Sequence, residues 1–451
     1  MDKGSLTPLL WLWVLLLVPF IAAMLRRRSC GLVISFCFQM WMLYWLGALI
    51  HALPWSELPE TDLVVLGFRQ ATLGMCAFAV GVLACGTGLG KAIVGRNVPL
   101  TPPEPSEVEM DPAAPRRFLK LGLISYFLLA PTLGRIPGMN ALPAAASQLV
   151  VAGCCLQAWM AWHKEGKPGL LRTLPQTFLI PAVILLRQGF MSYGVLALST
   201  IMLFVAQFFR PRWILAFGFM VSAYLGLTVY VSYMRDRTEL RAVIWSGAGA
   251  SFSERLQAGL HTATNLDRFN PRDPDQLTYI DGRLNQDGLV GAAVENLSTT
   301  GEFRNGSTIV DAILAMIPRL IWRSKPIGAG SGNLAASLTG REFASGTSVG
   351  VGPVLEFYGN FGTKGVALGF LILGALVGAL DFCAGLHLRL GNWAMFATFF
   401  LVGISCLNVS GSLVEVTAAA MASLAVTTVV RRTERKVARA PLQPVGAAAL
   451  L

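Results

Sequence analysis

Residues Ile317–Gly365, IPRLIWRSKPIGAGSGNLAASLTGREFASGTSVGVGPVLEFYGNFGTKG, are polar, glycine-rich and dense in charge. The chain around them is the opposite: 54% of its 451 residues are hydrophobic and only 14% are charged. A soluble protein carries about 25% charged residues. The stretch ends where a new apolar run of membrane-crossing length begins, and similar runs recur through the chain. Open sheets cannot cross lipid, because their edges leave backbone groups unpaired, and these runs are continuous rather than alternating. The expected fold is therefore all-α: a polytopic helical membrane protein of about 11 transmembrane helices with one large external loop.

Working outward from that stretch, spans are expected over 363–386, 391–408 and 412–430 on its C-terminal side, then a basic tail, Arg431–Arg439. On its N-terminal side, spans are expected over 6–24, 31–50, 63–89, 118–134, 142–162, 174–187, 190–209 and 213–233. The sixth is short for a crossing segment. The organisation is an N-terminal bundle (1–233), an external loop (234–361), C-terminal transmembrane helices (362–430) and a cytoplasmic tail (431–451). The Pro- and Glu-rich linker Lys91–Arg117 reads as a disordered cytoplasmic loop.

The net charge of +11 could suggest nucleic acid, but its distribution argues against that. Arg235–Glu356 holds 12 Lys/Arg against 13 Asp/Glu, so the loop is nearly neutral. The excess lies in short linkers at Arg26–Arg28, Lys164–Arg172, Arg210/Arg212 and Arg431–Arg439. This is the positive-inside pattern, and it places the N-terminus outside and the C-terminus in the cytoplasm. The 8 cysteines lie in expected spans or at a cytoplasmic edge, with no C-x-x-C spacing, so neither a disulfide framework nor a thiolate metal site is expected. Leu6–Met24 has its basic cluster behind it and reads as a retained span, not a signal peptide.

Within the loop, Ser251–Asn265 reads as helical and Leu266–Gly288, rich in Asp, Pro, Asn and Arg, as turns. Ser307–Ile317 reads as a short amphipathic helix resting on the membrane surface or the bundle, stopped by Pro318.

The topology puts Arg69, Arg135, Arg187, Arg235 and Arg237 at external ends of spans, and the loop adds Arg304, Arg319, Arg323, Lys325 and Arg341. Cations on the external side run against positive-inside statistics, and guanidinium groups grip phosphate oxygens in bidentate fashion. The set suggests an anion site for a pyrophosphate or a phospholipid headgroup. Taken singly, each arginine is better read as snorkelling or as paired with Glu57, Asp62, Glu239, Glu302, Glu356 or Glu415. Pro318–Pro326 places three cations (Arg319, Arg323 and Lys325) between two prolines; they read either as a stiffened grip on a ligand or as a basic interfacial turn meeting lipid phosphates.

Glu356 is a candidate general base for a sugar hydroxyl, with Phe357, Tyr358 and Phe361 placed to pack on a sugar face and Asn360 as a further substrate contact. The competing reading is a capping or ion-pairing carboxylate ahead of a span. Asp311 and Glu302 are weaker bases, and His51 and His261 are the histidines expected outside. No Walker A loop, dinucleotide fingerprint, H-E-x-x-H or G-x-S-x-G occurs. No early loop carries an acidic D-x-D pattern, so neither a metal nor a cofactor is expected. Asp381 and Glu415 are intramembrane carboxylates of the kind a proton-coupled carrier uses.

The arrangement I-P-R-x-I-W-x-x-K-P (Ile317–Pro326), then a Gly/Ser/Thr-rich stretch, then L-E-x-Y-x-N-F-G-x-x-G (Leu355–Gly365) resembles the bacterial O-antigen and oligosaccharide repeat-unit polymerases. The resemblance implies a multi-pass inner-membrane enzyme whose external loop is periplasmic. It implies undecaprenyl-pyrophosphate-linked oligosaccharide as substrate. It also implies membrane lipids around the chain, with a chain-length regulator and a flippase as partners. Under that reading Arg319 and Glu356 are catalytic, and Arg187, Arg235, Arg323, Lys325, Arg341, Tyr358 and Asn360 bind pyrophosphate or sugar. An O-antigen ligase and a transporter of lipid-linked oligosaccharides are the alternatives.

Overall fold

The computed structural model describes residues 3–27, 29–95, 98–100, 111–133, 140–188, 192–210, 212–245, 257, 260–262, 264–317, 322, 331–343 and 349–439. Every regular element among them is helical. Each of the eleven segments expected to cross overlaps a helix, although the helices over 190–209 and 391–408 are shorter than expected, Ser192–Val205 and Trp393–Ser405. Six helices are both long and apolar enough to span a bilayer: α1 (Leu6–Arg26), α2 (Leu32–Ala52), α3 (Thr61–Val94), α5 (Ala141–Glu165), α13 (Gly352–Arg389) and α15, within Leu413–Arg432. Between them come α4 (113–133), α6 (Lys167–Gln188), α7 (Ser192–Val205), α8 (Arg212–Trp245) and α14 (Trp393–Ser405). The sixth expected span, 174–187, lies in α6, a helix of 22 residues whose first turns, from Lys167, belong to the basic linker. α14 has only 13, about 20 Å of helix, less than the roughly 30 Å of a hydrocarbon core.

The core is built where α3 and α13 pack along each other. Small residues set that packing. A Cβ on Gly81 would lie 2.1 Å from the Leu371 carbonyl oxygen, and one on Gly374 would lie 2.2 Å from that of Phe78. Lipid gives apolar side chains no reason to leave it, so helices in membranes associate through close backbone approach. Aromatic rings fill the adjoining space: Phe36 stacks on Phe78 at 4.3 Å, and Phe370 meets Phe36 edge-on.

The directions of the helices bring chain ends together at two opposite poles. One pole gathers the linkers after α1 and α7 and the last turns of α13. Ser29 Oγ donates to Gln207 Oε1 at 2.9 Å, and the amides of Cys30 and Leu32 donate to Asp381 at 2.8 and 3.0 Å. The other pole gathers the 53–60 linker, the starts of α13 and α15, and the polar segment between α8 and α13.

That polar segment is more ordered than its composition suggests. Leu266–Gly288, expected to be turns, contains helix α9 (Pro274–Leu284). Asp273 caps it, accepting from the amides of Asp275 and Gln276, and Pro274 occupies the first helical position, where no N–H is needed. Helix α10 (Asp287–Thr300) then packs along the start of α3, and α11 (Ser307–Ala315) lies against α15. α11 matches its expected position. Thr308 and Ala312 are its buried side, while Val310 and Ile313 are exposed apolar residues, as an interfacial helix requires. Helix α12 (Ser331–Thr339) packs on α10. Most of Ser251–Asn265 lies outside the described residues.

Candidate functional site

Helix α13 begins inside the motif, not after it. It starts at Gly352, 11 residues ahead of the expected span boundary at 363, and bends at Phe361–Gly362. Gly362 has φ +62°, a conformation that other residues adopt only with strain. The bend separates a short head, 352–360, from the membrane-length body. The head carries Glu356, Tyr358 and Asn360.

Glu356 is fully buried. Its Oε2 accepts the Leu413 amide at 2.7 Å, one of the first, otherwise orphaned, N–H groups of α15. The remaining start of α15 is a capping box: Glu415 Oε2 accepts from the Ser412 amide, and Ser412 Oγ from the Glu415 amide, both at 3.3 Å. The capping reading of Glu356 therefore holds for one oxygen, although the helix it caps is not its own. Its second oxygen, Oε1, makes no hydrogen bond of good geometry. Only the Thr308 hydroxyl comes close enough to the carboxylate to stabilise its charge, and the charges of Asp311 and Glu415 reach it. The positive end of α15 and two neighbouring carboxylates thus act on one buried acid from different sides.

Asn360 is equally buried and fully engaged. Its Oδ1 accepts from the Gly306 amide at 2.9 Å, and its Nδ2 donates to Thr308 Oγ1 and to the Glu356 carbonyl, both at 2.7 Å. It fastens α11 over Glu356 and is not a surface sugar contact. Tyr358 is also buried, its ring 6.2 Å from that of Phe303. The exposed ring of the motif is Phe361, about half accessible.

The cations divide. Arg235 pairs with Asp236 at 2.7 Å and with Asp267, and donates to the Asn265 carbonyl at 2.9 Å. Arg341 pairs with Glu60 at 2.8 Å. For these two the single-residue reading, an ion pair, describes what the structure shows, though the acids differ from those expected. Arg304 is exposed, and its backbone amide donates to the Gly359 carbonyl at 2.9 Å, which places it on the head of α13. Arg187 lies in the last turn of α6. Arg135, Arg319, Arg323 and Lys325 lie outside the described residues.

Sequence reasoning missed a polar relay beside this head. His51, buried, contacts Thr61 Oγ1 through Nδ1 (3.0 Å) and Asp281 Oδ1 through Nε2 (2.8 Å). Asn285 Nδ2 donates to the same Asp281 oxygen at 2.7 Å, and Asn285 Oδ1 accepts the Asp287 amide. His51 is thus held on both nitrogens. Asp287 is fully buried with neither carboxylate oxygen bonded, and the buried Tyr44 Oη and Gln286 Oε1 are likewise without partners. Burial pushes the Asp287 carboxyl well above the ordinary carboxylate range, and the Asp281 charge adds to the shift. The helix-start signal Asp273-Pro274 was visible in the sequence and would have placed Asp281 on a helix.

No group of three or more metal-ligating side chains occurs among the described residues. No protein-family model matches the chain, and no curated protein or solved structure does either. The assignment of function therefore rests on the residues themselves.

Proposed function

We propose that this protein is a metal-independent repeat-unit polymerase of the bacterial inner membrane. It takes a growing glycan from undecaprenyl pyrophosphate and joins it to the next lipid-linked unit at the periplasmic face. In this reading the chain crosses the membrane about 11 times, with its N-terminus periplasmic and its C-terminus cytoplasmic. The observation that carries the proposal is the second oxygen of Glu356: a buried acceptor that no backbone amide or cation satisfies and that only the Thr308 hydroxyl approaches, at the head of a membrane helix, beneath the polar segment.

The chemistry follows from the groups. An acceptor hydroxyl attacks the anomeric carbon of the donor sugar. The new glycosidic C–O bond forms as the bond from that carbon to the pyrophosphate breaks, and configuration inverts. The hydroxyl proton passes to Glu356 Oε1, and the electron pair leaves with the pyrophosphate. Arg304, Arg319, Arg323, Lys325 and Arg187 supply the positive charge that stabilises its departure. Glu356 is covered in the structure, so the acceptor reaches it when α11 lifts. The Thr308–Asn360 bond and the 2.8 Å bond from Thr417 Oγ1 to the Ala312 carbonyl hold that cover down.

Of the two rivals, the ligase stays open to test: a ligase leans on an external histidine, and while His51 is occupied on both nitrogens, His261 is exposed. A proton-coupled carrier was suggested by Asp381 and Glu415, yet one binds a backbone turn and the other completes a capping box. The test is incubation of the purified protein with lipid-linked repeat units alone. A ladder of elongated products is expected from wild type, and loss of the ladder from Glu356→Gln and Arg319→Ala. Elongation that persists in both variants refutes the mechanism. Transfer that occurs only when core-lipid acceptor is added favours the ligase.

A further inference from the structure

Away from Glu356, the C-terminal turns of α10 and the end of α12 enclose a polar groove of about 290 Å³. Its wall is made by Glu295, Asn296, Thr299 and Thr300 on one side and by Thr339, Gly340 and Arg341 on the other. The size is at the low end for small-molecule sites, which run from about 300 to 1,000 Å³, so it suits one compact ligand and not a lipid chain.

The chemistry of the wall is lopsided. Thr299 and Thr300 donate their hydroxyl protons to the carbonyls of Glu295 and Asn296, both at 3.0 Å, and Thr339 donates to Ala335 at 2.7 Å. Thr300 and Thr339 also accept the amides of Glu302 and Arg341, at 3.4 and 3.3 Å, so Thr299 is the threonine whose oxygen is left as an acceptor for a ligand. Asn296 Nδ2 donates to the Leu338 carbonyl at 3.0 Å, which leaves its Oδ1 for the groove. A Cβ on Gly340 would lie 3.0 Å from that oxygen, so any larger residue there would crowd it. Glu295 is exposed and only accepts. Against these acceptors stands the Arg341 guanidinium, with one N–H turned to Glu60 and others left to donate.

A phosphate needs converging donors and would meet the Glu295 carboxylate, so an anion does not fit. An ammonium group would meet Arg341. An apolar ligand would leave the wall unpaired. A neutral sugar has what the groove lacks, several hydroxyl protons set around a ring, and each hydroxyl can also accept from Arg341. We propose that this groove binds a neutral saccharide, with Glu295 and Asn296 accepting from its hydroxyls and Arg341 donating to them. Arg341 then serves sugar, not pyrophosphate. As a resting place for an acceptor glycan the groove depends on the polymerase reading; as a binding site it does not.

The test uses the full chain in lipid nanodiscs and saturation-transfer NMR. Glucose, galactose and N-acetylglucosamine are the probes, and inorganic pyrophosphate is the competitor. At least one sugar is expected to bind with a dissociation constant in the millimolar range, as suits a small polar wet site. Glu295→Ala and Arg341→Ala are expected to weaken it at least about five-fold, roughly what loss of one hydrogen bond gives. Unchanged thermal unfolding of Glu295→Ala would show that the fold is intact. The inference is overturned if no sugar binds, if binding survives both substitutions, or if pyrophosphate displaces the sugar. A chain that binds sugar through Glu295 yet elongates nothing keeps the groove and refutes the polymerase. Elongation without sugar binding does the reverse.

Discussion

Helix α13 carries two buried carboxylates, Glu356 in its head and Asp381 near its other end, and they do different work. Asp381 lies under the turn after α1, and one of its oxygens accepts two backbone amides, those of Cys30 and Leu32. It closes a chain reversal, and its role is complete without a ligand. Glu356 satisfies one amide of α15 with one oxygen and leaves the other without a backbone donor or cation, approached only by the Thr308 hydroxyl. A buried acceptor without a partner costs free energy, on the order of 1–3 kcal/mol, and such sites concentrate where chemistry is done. The sequence places one acid in the polar segment and the other in a span; their bonding is what separates a completed structural role from an incomplete one.

Substitution sharpens that contrast. Asp381→Ala should be the most damaging change, because it leaves two buried amides without an acceptor. A loss of roughly 2–6 kcal/mol is expected. Thermal unfolding in detergent should show it, and Asp381→Asn, which keeps an acceptor oxygen, should lose less. Glu356→Gln should behave in the opposite way. Its amide oxygen can still take the Leu413 N–H, so stability should change little, while elongation should fall by about 10²–10⁴-fold, the usual contribution of a general base. Equal losses of stability and activity at Glu356 would erase the distinction.

Asp287 extends the comparison to a carboxyl with no bonded oxygen. Its folded-state affinity for a proton is raised, so between about pH 4, where the unfolded chain titrates, and its higher folded value the native state holds the extra proton. Stability should therefore fall as pH rises through that window. Asp287→Asn should remove the fall: the variant should match wild type near pH 4 and exceed it in neutral and alkaline buffer. An identical pH profile for the two would show that Asp287 has a partner in solution.

Smaller effects are expected where no buried group is orphaned. Gly362→Ala forces an L side chain into φ +62° and should cost about 1–2 kcal/mol, loosening the hinge between the head and body of α13. Arg341→Ala breaks an ion pair in which both partners are more than a third exposed, so stability should change by about 1 kcal/mol or less. Its larger consequence belongs to the groove.

The same contrast explains how much could be read in advance. The helical class, the positions of the apolar segments and α11 follow from composition and periodicity. Hydrophobic length and turn residues are local properties, written along the chain. Bonding at a carboxylate is not. Asp381 was legible as a costly intramembrane acid, but the amides that satisfy it come from about 350 residues away in the chain. Arg341 was legible as an external cation, whereas its partner Glu60 belongs to a different linker.

By itself, the sequence determined that this is a helical membrane protein with a polar segment before α13, because burial in lipid demands long apolar helices. Only the tertiary structure decided that α13 begins at Gly352, that Asn360 and Tyr358 face inward, and that Glu356 has one oxygen bound and one open. The physical reason is that a polar atom's state depends on which distant backbone groups the packing brings within about 3 Å of it.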